Sequence, residues 1–183
     1  MTLNIPYTLN TPRLLVTPLA ITDDHFILEL VNTEGWLKFI GDRNINSPSE
    51  AGAYIQMVLA DENISYWVVL LKENKVKIGI VTFIKRAYLQ HPDIGFAFLP
   101  QFCKKGYAYE ATTAVLNQLV HEHKLSHIFA TTVPGNLNSV TLLKRIGLAF
   151  EREIEVEQQK LHVYGASTSN LISQSNNQQD GQN

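Results

Sequence analysis

The residues that could do chemistry concentrate between Asp93 and Ala111, where the chain reads Asp-Ile-Gly-Phe-Ala-Phe-Leu-Pro-Gln-Phe-Cys-Lys-Lys-Gly-Tyr-Ala-Tyr-Glu-Ala. Ile94 to Leu99 is a short apolar run closed by Pro100, the pattern of a buried strand. From Tyr107 onward, Ala108, Ala111, Thr112, Val115, Leu116 and Leu119 recur at helical spacing. A strand that feeds a helix through so short a loop leaves the first N–H groups of that helix unpaired and facing the strand's end. With the helix dipole and the ammonium groups of Lys104 and Lys105 they could hold a phosphate, and Gly106 lets the backbone come close because it carries no side chain.

Taken alone, the stretch is equally compatible with a plain strand–loop–helix connection carrying surface lysines. Two commoner phosphate loops are excluded. There are not the three glycines of a dinucleotide fingerprint, and no Gly-Lys-Ser/Thr closes the loop. Cys103 as a nucleophile lacks a base near it in sequence. His121, His123 and His127 invite a metal reading, but His121 and His123 are two apart and diverge on a helix, so no metal is expected.

The elements that must position these residues fit one domain. The chain has 183 residues, 45% of them hydrophobic and 17% charged, enough to build a sizeable core. A net charge of −2 and a pI near 6.3 speak against a nucleic-acid partner. No apolar run reaches membrane-spanning length, no signal-peptide pattern opens the chain, and the single cysteine fits a reducing cytoplasm. A monomer or homodimer is expected.

Residues 1–12 read as a polar, turn-rich leader, and Arg13 to Leu19 as a first strand. Thr22 with Asp23 and Asp24 marks a helix start, and Phe26, Ile27 and Leu30 point inward. After an irregular crossing at 33–46, Ser47-Pro48-Ser49-Glu50 is a capping box for a helix that should bury Ala51, Ile55, Val58 and Leu59. Ser65–Leu71, Lys77–Lys85 and Ile94–Leu99 read as an antiparallel meander. A strand at His127–Val133 follows the Tyr107 helix. Asn136 or Asn138 then caps a helix to Ile146, with Gly147 at its end. Leu148–Glu157 and Lys160–Ala166 close the chain as a hairpin. The order β-α-α-β-β-β-α-β-α-β-β is an α/β fold with a mostly antiparallel sheet. Residues 1–168 form the domain, and 169–183 a polar tail too poor in apolar groups to be ordered.

That order, with a phosphate loop after the fourth strand, resembles the GCN5-related N-acetyltransferases (GNAT). Three motifs resemble the branch of the ribosomal-protein N-terminal acetyltransferases (RimJ/RimL-like): Thr11-Pro12-Arg13-Leu14, then Ile94-Gly95-Phe96 through Gly106-Tyr107-Ala108-Tyr109-Glu110-Ala111, then Asn136-x-x-Ser139 with Leu142 to Leu148. The resemblance covers residues 9–166 and implies a mixed, mostly antiparallel sheet of six to seven strands, splayed between the fourth and fifth and flanked by helices. Two departures stand out. Cys103 holds a position where the family often has Gln or Arg, and Leu148 replaces a usual Phe.

The resemblance implies acetyl transfer from acetyl-CoA to a primary amine, without a metal, by direct attack in a ternary complex. The acceptor would be a protein N-terminus or a small-molecule amine. It further implies that the cofactor arm pairs with backbone groups of Phe96, Ala97 and Phe98. The diphosphate would rest on the N–H groups of Lys104, Lys105, Gly106, Tyr107, Ala108 and Tyr109. Such a reaction needs a neutral amine, a stabilised oxyanion and a protonated leaving thiolate. Ser139 inherits contact with the sulfur by position, although a serine is a poor acid against a thiol of pKa about 8.5; otherwise it is a helix-start serine bonding its own backbone. Asn136 would contact the cofactor arm, unless it is simply a helix cap. Asp93 would take the amine's proton through a water if burial raises its pKa, with His91 as runner-up, or else is a solvated strand start. Trp36, Phe39 and Asp42, with Tyr88 and the last hairpin, should line the acceptor pocket. An alternative from another class is a CoA-binding or ligand-sensing module without turnover.

Overall fold

A computed structural model describes residues 7–122 and 125–171. Its strands are β1 (Leu9–Asn10), β2 (Leu14–Pro18), β3 (Ile64–Leu71), β4 (Lys77–Ile84), β5 (Asp93–Phe98), β6 (His127–Thr132), β7 (Ala149–Val156) and β8 (Gln159–Ser167). Its helices are α1 (Asp24–Val31), α2 (Glu34–Phe39), α3 (Pro48–Ala60), α4 (Tyr107–Glu122) and α5 (Leu137–Arg145). The strands form one sheet in the order β1-β2-β3-β4-β5-β6-β8-β7. The runs rich in Val, Ile and aromatic residues supply β3 and β4, which pair antiparallel through the turn at Glu73 and Asn74.

The sheet therefore has eight strands, not six to seven. The addition is β1, two residues inside the supposed leader, antiparallel to β2 with Leu9 opposite Val16. Pro12 and the Thr11 hydroxyl fold the chain back: Thr11 N–H donates to the Leu14 carbonyl at 3.0 Å, and Leu14 N–H to Thr11 Oγ1 at 2.9 Å. Two residues are too few to show a period in sequence.

Helix starts follow local chemistry with two shifts. The first helix begins at Asp24, after a 3-10 turn at Ile21–Asp23, because Asp23 turns back to accept from Ala20 N–H at 2.7 Å. At α3 Ser47 Oγ accepts from Glu50 N–H as a cap should, but Glu50 reaches the N–H of Asn46 (2.6 Å) rather than that of Ser47. Ala51, Ile55 and Val58 are buried there, while Leu59 is 51% exposed and leaves the expected core set.

Two cores sandwich the sheet. On one face Val81, Phe83 and Ile94 meet Ala111, Val115 and Leu119 of α4 and Leu143 of α5. On the other, Val68 and Ile80 meet Phe26, Ile27 and Leu30 of α1, Trp36 of α2, and Ile55 of α3. Residues 168–171 make a helical turn whose Leu171 is 6% exposed and joins the first core. The rest of the supposed tail, 172–183, lies outside the described residues. Among the described residues no helix is long and apolar enough to cross a membrane.

Candidate active site

The sheet is antiparallel except where β5 meets β6, and that contact is minimal. The one parallel register pair is Asp93 with Phe129, supported by Phe129 N–H donating to the Pro92 carbonyl at 2.9 Å. Beyond it β5 stays on β4 through Phe98, and β6 stays on β8 through Thr132. The strands separate as expected, and Phe96, Ala97 and Phe98 have no strand partner on the β6 side. A cleft of about 1570 Å³ opens there, lined by those three residues, by the start of α4, by α5 and by α2 and α3. Gly95 enters it opposite Thr82, so close that a Cβ would come 2.6 Å from Thr82 Oγ1.

At one end β5 runs into the loop before α4. Lys104 (φ 60°) and Gly106 (φ 81°) both take left-handed backbone and turn the loop back on itself. Backbone bonding within α4 starts only with Glu110 N–H to the Gly106 carbonyl (3.1 Å), which leaves the N–H groups of Tyr107, Ala108 and Tyr109 without helical acceptors. Lys104, Gly106, Ala108 and Tyr109 line the cleft. Lys105 is exposed, and its ammonium lies 5.6 Å from the centre of the Phe102 ring. The Cys103 thiol points at the carbonyls of Leu99 and Phe98 (3.6 and 3.9 Å), and partial burial pushes its pKa up against the pull of the Lys104 charge.

The loop is held from behind by residues whose purpose the sequence did not disclose. Glu110 accepts from the Thr11 hydroxyl (2.6 Å), from Arg13 N–H (2.9 Å) and from Arg13 Nε (2.6 Å), while Arg13 Nη1 donates to the Lys105 carbonyl at 3.0 Å. Partial burial raises the Glu110 pKa, but the bonds from Thr11 and Arg13 outweigh it and hold the carboxyl below its usual range. A Cβ on Gly106 would stand 3.2 Å from Arg13 Nη2, at a φ that side chains rarely adopt. One signal was present: a carboxylate in the first turn of a phosphate-binding helix opposes the ligand unless a cation neutralises it.

At the other end, Asp93 is buried, not solvated. Its Oδ2 accepts from the Thr131 hydroxyl at 2.8 Å and its Oδ1 lies 3.2 Å from Arg86 Nε. Burial raises its pKa, and the Arg86 charge and the Thr131 bond pull partly back. Thr131 comes from 38 residues along the chain and Arg86 from the loop that joins β4 to β5. His91 does not line the cleft; it stacks with His127 (5.3 Å) and Phe129 (5.4 Å), and His127 in turn pairs with Glu151 at 2.7 Å. His121 lies in the last turn of α4, and His123 lies outside the described residues.

Asn136 caps α5, its Oδ1 accepting from Ser139 N–H at 3.2 Å. The Ser139 hydroxyl has no hydrogen-bond partner among the described residues, so the helix-start role falls to its N–H and leaves its oxygen free in the cleft. Trp36, Phe39, Tyr88 and, from the last hairpin, Val156 and Leu161 line the cleft; Asp42 does not, and accepts from Asn44 N–H instead. Sequence reading missed Tyr54 and Tyr66, whose hydroxyls meet at 3.2 Å in its wall.

An unpaired strand edge leading into a helix N-terminus suits an extended amide-bearing arm that ends in a diphosphate, and here the residues fit that group. The acetyltransferase (GNAT) domain family matches residues 13–149. The chain is 29% identical over 143 residues to the uncharacterized N-acetyltransferase YnaD of Bacillus subtilis, covering 78% of this chain and 83% of the relative. Its fold is similar to spermidine N-acetyltransferase from Vibrio cholerae in complex with CoA and spermine (TM-score 0.76, 20% identity, 88% of this chain and 99% of the other). It is also similar to ribosomal-protein-S5-alanine acetyltransferase from Vibrio fischeri (TM-score 0.76, 16% identity, 90% and 98%). The splayed strands, the loop they lead into and the family match over three quarters of its length identify this chain as a member of the GNAT acetyltransferase family.

Proposed function

We propose that this protein moves an acetyl group from acetyl-CoA to a primary amine by direct attack in a ternary complex. The observation that carries the reading is the unpaired edge of β5 continuing into the free N–H groups of α4, with the unengaged Ser139 hydroxyl in the same cleft. When bound, acetyl-CoA supplies an acyl group on a good leaving thiol. Backbone groups of Phe96, Ala97 and Phe98 would align its arm, and the N–H groups of Lys104 to Tyr109 would hold its phosphates. The Asn136 side-chain NH₂ remains available to the arm, since its oxygen is used as a cap.

The amine nitrogen gains a bond to the acetyl carbon as the carbon–sulfur bond breaks. One proton leaves that nitrogen and one is taken up by sulfur. Asp93, with its raised pKa, accepts the first through a water, and Ser139 donates a hydrogen bond as charge builds on sulfur. The acceptor is a protein N-terminus or a small amine.

Calorimetric titration with CoA tests the first half. The wild type should bind, and Gly106→Glu should not, because a carboxylate would face the diphosphate at a backbone angle that already disfavours it. Unchanged affinity in that variant removes the phosphate-loop assignment. Thiol release from acetyl-CoA against an amine panel tests the second half; CoA binding with no release for any amine would favour a module without turnover.

A further inference from the structure

The acceptor end of the cleft is rich in hydrogen-bond donors, and its one buried acid, Asp93, is already engaged. Arg43 and Arg86 line it, with the hydroxyls of Tyr54, Tyr66 and Tyr88. Both arginine charges reach the Tyr66 phenol and act against the effect of its burial. Arg43 has no ion pair among the described residues, and Arg86 keeps its charge because the Asp93 carboxylate offsets its burial. One buried N–H group in this wall, Trp36 Nε1, has no hydrogen-bond acceptor among the described residues, while Arg86 Nε faces Asp93 Oδ1 at 3.2 Å. Orphaned buried donors cost free energy until an acceptor reaches them.

The acids do not balance this. Asp93 already has one oxygen on Thr131 and the other beside Arg86. Glu50 accepts from the Asn46 N–H at the rim, Glu34 sits in the first turn of α2, where the helix dipole favours it, and Glu157 is exposed at the turn of the last hairpin. A second ammonium on the acceptor, as in a polyamine, would meet two guanidinium groups at this wall, where Asp93 is already engaged and the remaining lining acids, Glu34, Glu50 and Glu157, are solvent-exposed.

We infer that the acceptor is an amine carrying a carboxylate a few atoms from the reacting nitrogen, with the carboxylate held by Arg43 and Arg86 and by donors of the Trp36 and tyrosine wall. Arginine suits this role because its planar fork binds carboxylates with two parallel bonds. The carboxylate could belong to a free amino acid or to an acidic residue near a peptide's N-terminus. The inference rests on the transferase reading only for the amine; the preference for an anion stands on the wall itself.

Two matched pairs separate the sources: phenylalanine with phenylalaninamide, and the peptides Ala-Asp-Phe-amide with Ala-Asn-Phe-amide; spermidine is the cationic comparison. Each is measured twice on the full chain, as kcat/KM by thiol release from acetyl-CoA and as Kd by tryptophan fluorescence in the presence of CoA. The acid of at least one pair should exceed its amide by roughly tenfold in both readouts, and Arg43→Met should lower that ratio several-fold. Equal handling of acid and amide in both pairs, or preference for spermidine, overturns the inference. Carboxylate-selective binding without thiol release would sink the transferase reading and leave this one standing.

Discussion

Replacing Glu110 by alanine should weaken both the fold and acetyl-CoA binding, although this side chain turns its carboxylate toward Thr11 and Arg13. The substitution removes the acceptor for three donors: the Thr11 hydroxyl at 2.6 Å, Arg13 N–H at 2.9 Å and Arg13 Nε at 2.6 Å. These bonds are not of equal worth. The Arg13 side chain is 48% exposed, so its ion pair contributes less than about 1 kcal/mol. Thr11 is 8% exposed and its hydroxyl proton keeps only a longer bond to the Leu14 carbonyl, so loss of its charged acceptor costs more. The sum is about 2–3 kcal/mol, which for a chain of this size lowers Tm by roughly 5–10 °C. Arg13 also holds the Lys105 carbonyl, so freeing it loosens the loop before α4, and if that loop holds the diphosphate as proposed, CoA affinity should fall about tenfold.

The same contact makes a pH prediction with a definite sign. Pairing holds the Glu110 carboxyl below its ordinary pKa, so its stabilisation is present above that value and lost as pH falls through the depressed one. Tm measured by scanning fluorimetry should therefore fall on acidification more steeply in wild type than in Glu110→Ala, and the two curves should converge. A variant with wild-type Tm and wild-type CoA affinity by calorimetry would refute the view that residues 11–13 support the loop through Glu110.

If Ser139 acts on the sulfur as proposed, Ser139→Ala should lower kcat by about tenfold with CoA affinity intact, since its hydroxyl has no partner among the described residues; a wild-type rate with chemistry limiting would reduce it to a helix-start residue. Wild-type kcat/KM should decline on acidification at a pH above the usual carboxylate range, because burial raises the Asp93 pKa, and Asp93→Asn should lose that limb; an unchanged limb excludes Asp93 as the base. Truncation after Leu171 should leave Tm nearly unchanged, whereas truncation after Asn170 removes a buried leucine and should cost about 2–5 kcal/mol. Equal Tm values for the two would show that Leu171 contributes nothing to the core.

Local chemistry in the sequence determined most elements and the loop proposed to hold phosphate. Seven of the strands, the helix after Gly106 and the cap at Asn136 were legible because each rests on a few adjacent residues: an apolar run, a loop glycine, a side chain able to accept from the N–H three residues on. Tertiary structure alone decided which distant groups meet. Asp93 reads as a solvated acid until Thr131 crosses from β6 and Arg86 returns from the loop after β4. The Thr11-x-Arg13 signature is an anonymous motif until the sheet carries it 97 residues along the chain to Glu110. The acceptor end was least legible, since Arg43, Tyr54, Tyr66 and Arg86 come from unconnected segments. Short-range pattern encodes backbone conformation, but a side chain's charge state depends on what lies within a few ångströms of it, and only the fold sets that distance.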